Sequence, residues 1–172
     1  KNPNAYAGGW AYGKSHEIVD KPDDELYDGA QTTLAIETLK RLKDMDQPFY
    51  LAVGYYRPHL PFVAPRKYWE LYDRDAIPPA PNPFLPSGAP VFAINSQYEL
   101  RSCYDLEWVK HPAVERVPDE TARLLKHGYW ASVSFVDACI GRLMDALAEL
   151  GLAENTIVVV WGDHGWKLGE HG

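Results

Sequence analysis

Asp163 and His164 stand side by side between two glycines, in Gly162-Asp163-His164-Gly165, directly after the run Thr156-Ile157-Val158-Val159-Val160-Trp161. A carboxylate and an imidazole placed together can ligate a divalent cation, and the glycines let the backbone turn sharply and come close to it. Two adjacent residues are a weak pattern, and a tight turn in which the Asp bonds its own backbone accounts for them about equally well. A second group, Arg57-Pro58-His59, comes soon after the apolar run Phe49-Tyr50-Leu51-Ala52-Val53. Arg57 offers a planar fork for an oxyanion. His59 can hydrogen-bond a sulfate or phosphate oxygen, or hand a proton to a leaving group. Taken alone, a surface arginine and a histidine packed at a proline turn are the commoner explanation of such a pair. Lys167 and His171 follow the Asp-His pair closely enough to line the same cleft, whereas Glu170 reads as a solvated loop residue.

The two groups reinforce each other through the elements that must carry them. A short, continuous apolar run fits a strand buried on both faces of a parallel sheet. Residues 49–53 and 156–161 are such runs. In open α/β sheets ligands collect beyond the C-terminal strand ends, which share one edge. Helices are expected at about 24–43, as scaffold, and after Pro118, where Asp119 can cap a long helix. Leu125, Tyr129, Ser132, Val136, Cys139, Leu143, Leu147 and Leu150 step along one face of that helix, and Gly151 stands where a C-terminal cap belongs. Cys139 is then a small core residue, and Asp137 a structural one, capping or bonding a neighbouring loop. The alternation of helix and strand implies an α/β sandwich. Residues 1–21 read as loop. The proline density from Pro58 to Pro90 argues against regular strands and leaves room for one helical turn near Arg66. The stretch at about 76–118 reads as a long, proline-rich surface excursion, of the kind that often forms a functional rim.

The 172 residues, 46% hydrophobic and 24% charged, suit one globular domain. A net charge of −7 argues against nucleic acid or an anionic membrane as partner. It leaves room for an anionic substrate, since a few local cations decide binding inside a cleft. No apolar run approaches membrane-spanning length. Cys103 and Cys139 make neither a disulfide framework nor a metal-type spacing. The chain begins with Lys in a polar, Gly-rich stretch without the pattern of a signal peptide, so an internal fragment or a processed chain is expected.

Pro48-Phe49-Tyr50-Leu51-Ala52-Val53-Gly54-Tyr55-Tyr56-Arg57-Pro58-His59-Leu60-Pro61-Phe62 resembles the sulfatase segment around its substrate-binding histidine. Tyr129-Trp130-Ala131-Ser132-Val133-Ser134-Phe135-Val136-Asp137, continuing through Gly141-Arg142-Leu143, is similar to that family's long helix. Asn155 through Trp161, with Gly162-Asp163-His164-Gly165-Trp166-Lys167-Leu168-Gly169-Glu170-His171-Gly172, resembles its metal-binding strand and loop. The Asp-His pair followed by Gly-Trp and Leu-Gly-Glu-His-Gly looks like the iduronate-2-sulfatase branch of this alkaline-phosphatase-like superfamily. The resemblance implies a partial alkaline-phosphatase-like sandwich, a mostly parallel sheet flanked by helices, with residues 1–172 a fragment of a single catalytic domain. It also implies hydrolysis of a sulfate ester on a sulfated sugar. In the family the hydrated form of a formylglycine, made from Cys or Ser, attacks sulfur, and a divalent metal, calcium, holds the sulfate oxygens. Asp163 and His164 would then be metal ligands, His59 the catalytic group, and Arg57, His59, Lys167 and His171 the substrate-binding residues. Calcium prefers oxygen, so His164 is the weaker ligand and suits a contact to the sulfate or nucleophile instead.

The family's nucleophile motif, Cys or Ser followed by x-Pro-Ser-Arg, does not occur. Cys103 is followed by Tyr-Asp-Leu and Cys139 by Ile-Gly-Arg. The family's first-strand Asp pair and its Lys-and-His pair are absent too. The fragment is therefore expected to be inactive alone, with exposed edges and apolar faces that favour self-association. The alternatives are a zinc-dependent phosphatase or phosphodiesterase of the same superfamily and a non-catalytic binding domain on this scaffold. The sequence carries no address; the resemblance implies a periplasmic, secreted or lysosomal setting.

Overall fold

The computed structural model describes residues 13–45 and 47–171. Its elements run β1 (His16–Val19), α1 (Tyr27–Lys43), β2 (Phe62–Pro65), α2 (Arg66–Trp69), α3 (Tyr98–Arg101) and α4 (Asp119–Glu149). β1 and β2 pair in parallel, from His16 opposite Phe62 to Val19 opposite Pro65. Helices flank this small sheet, so the class is α/β with a parallel sheet, as expected.

α4 is the spine, and its ends follow from its sequence. Pro118 occupies the N-cap and makes no side-chain cap bond; Asp119 is the first helical residue. Asp119 therefore acts through its charge on the first turn and not, as expected, as a cap. At the other end Gly151 takes φ +70°. Its N–H donates to the Ala148 carbonyl and the Leu152 N–H donates to Leu147, both at 2.9 Å, which closes the helix in a Schellman motif. Leu125, Ser132, Cys139 and Leu147 are buried on the core face as expected. Phe135 is buried where Val136 was expected, so the face is turned slightly. Asp137 is exposed, and bonds no loop among the described residues. α4 lies close on the sheet because residue 128 is glycine. A Cβ there would stand 2.8 Å from Trp69 Cη2 and 3.0 Å from Phe62 Cβ.

The strands fall elsewhere than the apolar runs suggested. Residues 49–53 and 156–161 join no ladder among the described residues. Tyr50 is 91% exposed, Ile157 94% and Trp161 80%. The physical reason is that strand pairing is non-local. A β-branched run becomes a strand only where a neighbour meets its N–H and C=O groups. β1 lies within the stretch read as loop, whose first twelve residues are outside the described residues. β2 lies in the proline-dense region that argued against strands. It fits because Phe62, Val63 and Ala64 carry the pairing while proline stands only at its end, in a strand with a single partner.

The expected turn near Arg66 is α2, and the scaffold helix is α1 after a 3₁₀ turn at Asp23–Glu25. The excursion at 76–118 is more than surface. Leu100, Leu106 and Val109 pack with Leu60, Phe62, Leu125 and Leu168 in one core cluster. A second cluster joins Ala64, Tyr68 and Trp69 to Ala131, Phe135 and Cys139. Asp105 anchors the excursion by accepting from Ser15 N–H and Ser15 Oγ, each at 2.8 Å. Ser15 Oγ also lies 3.0 Å from His16 Nδ1. With Ser15 fully buried and its hydroxyl donating to the carboxylate, this Ser-His-Asp grouping is a brace and not a nucleophile.

Both cysteines are buried. Burial, reinforced by Asp105 and Glu99, pushes the Cys103 thiol up to about 12, and burial likewise raises Cys139. At pH 8 only about one Cys103 in ten thousand is then thiolate, the reactive form. Iodoacetamide at pH 8 is expected to leave both unmodified in the folded protein and to label both in denaturant, read by peptide mass mapping. Rapid labelling of either under native conditions would contradict this packing.

Candidate functional site

His59 sits in the turn between residues 55 and 62, and its ring is held from several sides. Its Nδ1–H donates to the Leu60 carbonyl at 2.8 Å. The ring centroid lies 4.9 Å from that of Tyr56 and 6.4 Å from that of Trp166. A carbonyl can only accept, so Nδ1 carries a hydrogen and Nε2 is the nitrogen turned outward. Nε2 faces Glu99 Oε1 of α3 at 3.1 Å.

The turn itself is pinned by Asp28, a buried carboxylate in the first turn of α1. Asp28 Oδ1 accepts from the Tyr56 N–H at 2.7 Å and Oδ2 from the Arg57 N–H at 3.2 Å. Arg57 turns its fork inward. Its Nε donates to the Val63 carbonyl at 3.0 Å and its Nη1 to the His59 carbonyl at 3.3 Å. Burial lowers its pKa from the usual value, against the opposing effect of Asp28. In this arrangement Arg57 braces the backbone that presents His59.

Asp163 and His164 lie in the loop 162–171. Both are largely exposed, and the Asp163 carboxylate accepts from the His164 N–H at 2.9 Å. The self-bonded turn weighed from the sequence is thus present, and Asp163 Oδ2 lies 3.7 Å from His164 Nε2. Trp166 carries this loop to the other group, with its ring edge-on to both Phe62, at 6.3 Å, and His59. Leu168 seals the contact inside the same core cluster as Leu60 and Phe62. The two loops singled out from the sequence therefore converge, through Trp166 and Leu168, although the runs before them form no ladder.

The remaining predicted residues divide. Lys167 is exposed and points to no partner among the described residues. His171 is tied to the excursion, with Nδ1–H donating to the Phe84 carbonyl at 3.2 Å and Nε2 lying 3.4 Å from Asn82 Nδ2. Glu170 is not a solvated bystander. Its Oε2 accepts from the Leu168 N–H at 3.0 Å and braces the loop. Asp28, Glu99 and Trp166 escaped the sequence reading. Trp166 and Leu168 alone left a signal, as apolar residues inside a polar, Gly-rich loop.

Among the described residues no three His, Cys, Asp or Glu side chains gather as a metal group would. The Asp163 carboxylate suits a hard cation, but calcium takes six to eight oxygens and His164 offers nitrogen. These residues alone do not make a calcium site.

A family model described as Sulfatase matches residues 2–172. The chain is 39% identical over 157 residues to iduronate 2-sulfatase of Homo sapiens, covering 91% of this chain and 28% of that protein. It is 39% identical over 133 residues to a sulfatase of Formosa agariphila, covering 76% of this chain and 24% of that protein. It is 30% identical over 175 residues to the multifunctional alkaline phosphatase superfamily protein PehA of Trinickia caryophylli, covering 89% of this chain and 30% of that protein. The chain thus spans less than a third of the length of these relatives.

Proposed function

The chain belongs to the sulfatase family, and from that premise we propose that the full-length protein is a sulfuric ester hydrolase acting on a sulfated carbohydrate, in the manner of an iduronate-2-sulfatase. The convergence of the His59 turn and the Asp163–His164 loop through Trp166 carries this reading. His59 is the catalytic group: its outward Nε2 contacts a sulfate oxygen or protonates the departing alcohol, and the substrate displaces or shares Glu99 there. Lys167, exposed beside the pair, adds a cation for the substrate. Arg57 and His171 serve the substrate by holding the turn and the loop, since their polar atoms already bond backbone and excursion. Asp163 and His164 are metal ligands, completed by groups elsewhere in the full-length protein. Bound calcium would neutralise the charge of the sulfate oxygens. The formylglycine nucleophile also lies outside these residues, so the 172-residue segment is inactive by itself. Its bare runs, above all Ile157 to Trp161, favour self-association. No helix among the described residues is long and apolar enough to cross a membrane. A periplasmic, secreted or lysosomal setting is in keeping with the family.

The test is sulfate release by the full-length protein, with its nucleophile matured, from a chromogenic aryl sulfate and a sulfated uronic-acid disaccharide. Asp163→Ala is expected to lower release more than about a hundredfold, since even outer-shell partners of a metal cost about ten- to a hundredfold. Phosphate release from a phosphodiester without any sulfate release would move the protein to the phosphatase side of the superfamily. Sulfate release unaffected by Asp163→Ala would remove the metal role.

A further inference from the structure

His59 Nε2, the nitrogen assigned to the sulfate group, is already faced by an anion. Glu99 Oε1 lies 3.1 Å from it. A carboxylate is an unexpected neighbour in a site for an anionic ester, because a sulfate oxygen reaching Nε2 would stand beside Oε1, anion against anion. The core sets this approach. Glu99 belongs to α3, and the next residue, Leu100, is 2% exposed. Leu100 and Cys103 pack in the same core cluster as Leu60, the residue after His59. The two backbones are thus held in register through one core, while the Glu99 side chain is 54% exposed and has room to swing into water. Neither Arg101 nor Arg57 pairs with it. Arg101 Nε donates to the Ser96 carbonyl at 2.8 Å, and Arg57 donates to the Val63 and His59 carbonyls. The pair with His59 is the one salt bridge of Glu99 among the described residues.

We propose that Glu99 is a built-in competitor for the anion at His59: its carboxylate occupies Nε2 in the empty site, yields to the sulfate ester, and returns to expel the inorganic sulfate that hydrolysis leaves. The proposal rests on the sulfatase reading and adds to it a device for product release. Hydrolysis of a sulfate monoester consumes water and yields an alcohol, inorganic sulfate and a proton. The ester carries one negative charge and inorganic sulfate two. A site that attracts the monoanion attracts the dianion more strongly, so without an opposing charge the product is the better ligand. Repulsion scales with the product of the charges. Whatever factor the Glu99 carboxylate removes from affinity for the ester, it therefore removes about the square of that factor from affinity for inorganic sulfate.

The experiment compares full-length wild-type, Glu99→Gln and Glu99→Asp proteins on nitrophenyl sulfate, with inorganic sulfate as inhibitor and ionic strength held constant. Thermal melting checks that each is folded. Glutamine keeps the shape of the side chain and removes its charge. In Glu99→Gln the KM for the ester is expected to fall about threefold, the range of a half-exposed charge pair, and the inhibition constant of inorganic sulfate about tenfold. Glu99→Asp keeps the charge and should stay closer to wild type in both. A merely structural role would raise KM or lower kcat without tightening the inhibitor, and that result, or unchanged inhibition, overturns the proposal. Calorimetric titration with inorganic sulfate gives a second reading, in wild type and Glu99→Gln and in the same pair on a His59→Ala background. Binding that tightens in Glu99→Gln only while His59 is present supports competition at Nε2. Tightening of the same size without His59 makes Glu99 a diffuse surface charge and overturns the proposal, as do equal binding and no binding by either protein. If the wild-type protein releases no sulfate from the ester, the sulfatase reading fails separately, and the titrations still decide whether Glu99 competes for an anion at His59.

Discussion

Sulfate release by the full-length protein is expected to fall between about a hundredfold and ten-thousandfold in His59→Ala, mainly in kcat, the range over which a positioned acid or base contributes. The structure says why so much is invested in one ring. The Leu60 carbonyl holds Nδ1–H, the Glu99 carboxylate faces Nε2, and Tyr56 and Trp166 fix the plane. Nε2 is left as the nitrogen that can act. A series of esters separates its two possible duties. If His59 protonates the departing oxygen, the loss is largest on alkyl sulfates, whose alcohols leave poorly, and smallest on nitrophenyl sulfate, whose phenolate needs no proton. An equal loss on both would make His59 a sulfate-binding residue, with the proton supplied elsewhere. Wild-type rates in His59→Ala would remove it from the chemistry altogether.

The candidate site residues stood out in the sequence because they form local patterns. Asp163 beside His164, and Arg57 two positions before His59, stand out as types and spacings within a few residues. α4 was legible for a related reason: its face repeats every three or four residues, and Pro118 and Gly151 mark its ends. What the sequence could not show was pairing. Thr156 to Trp161 has every property of a central strand except a neighbour among the described residues, and 16–19 has few of them yet finds one in 62–65. β-branching and apolarity report that a segment is able to be buried, while the partner is set by residues far away in the chain. The same limit hid Glu99, whose approach to His59 depends on how the excursion folds back. It also turned Arg57 from an oxyanion fork into a backbone brace, since no local signal says which acceptors a guanidinium will meet first.

Asp28 shows how the scaffold reaches the site, and its loss is expected to be the most damaging change to stability in this region. One buried carboxylate closes two charge-assisted bonds, to the Tyr56 and Arg57 N–H groups, across 28 and 29 residues of chain. Bonds to a charged group contribute about 1.5–3 kcal/mol each, and both donors would be left without their acceptor in Asp28→Ala. We therefore expect a loss of roughly 3–5 kcal/mol by denaturant titration of the full-length protein, together with reduced kcat, because the turn that presents His59 is no longer tied to α1. Asp28→Asn discriminates between charge and shape. Its amide oxygen can keep the shorter bond to Tyr56, but its NH₂ would then confront the Arg57 N–H, donor against donor. The asparagine variant should consequently lose more than half of what alanine loses, although it differs from the natural residue by a single group. A nearly wild-type Asp28→Asn would mean that one bond suffices and that Arg57 finds its acceptor elsewhere. Destabilisation without any change in kcat would mean that the turn is held by Tyr56, Trp166 and the Leu60 carbonyl alone.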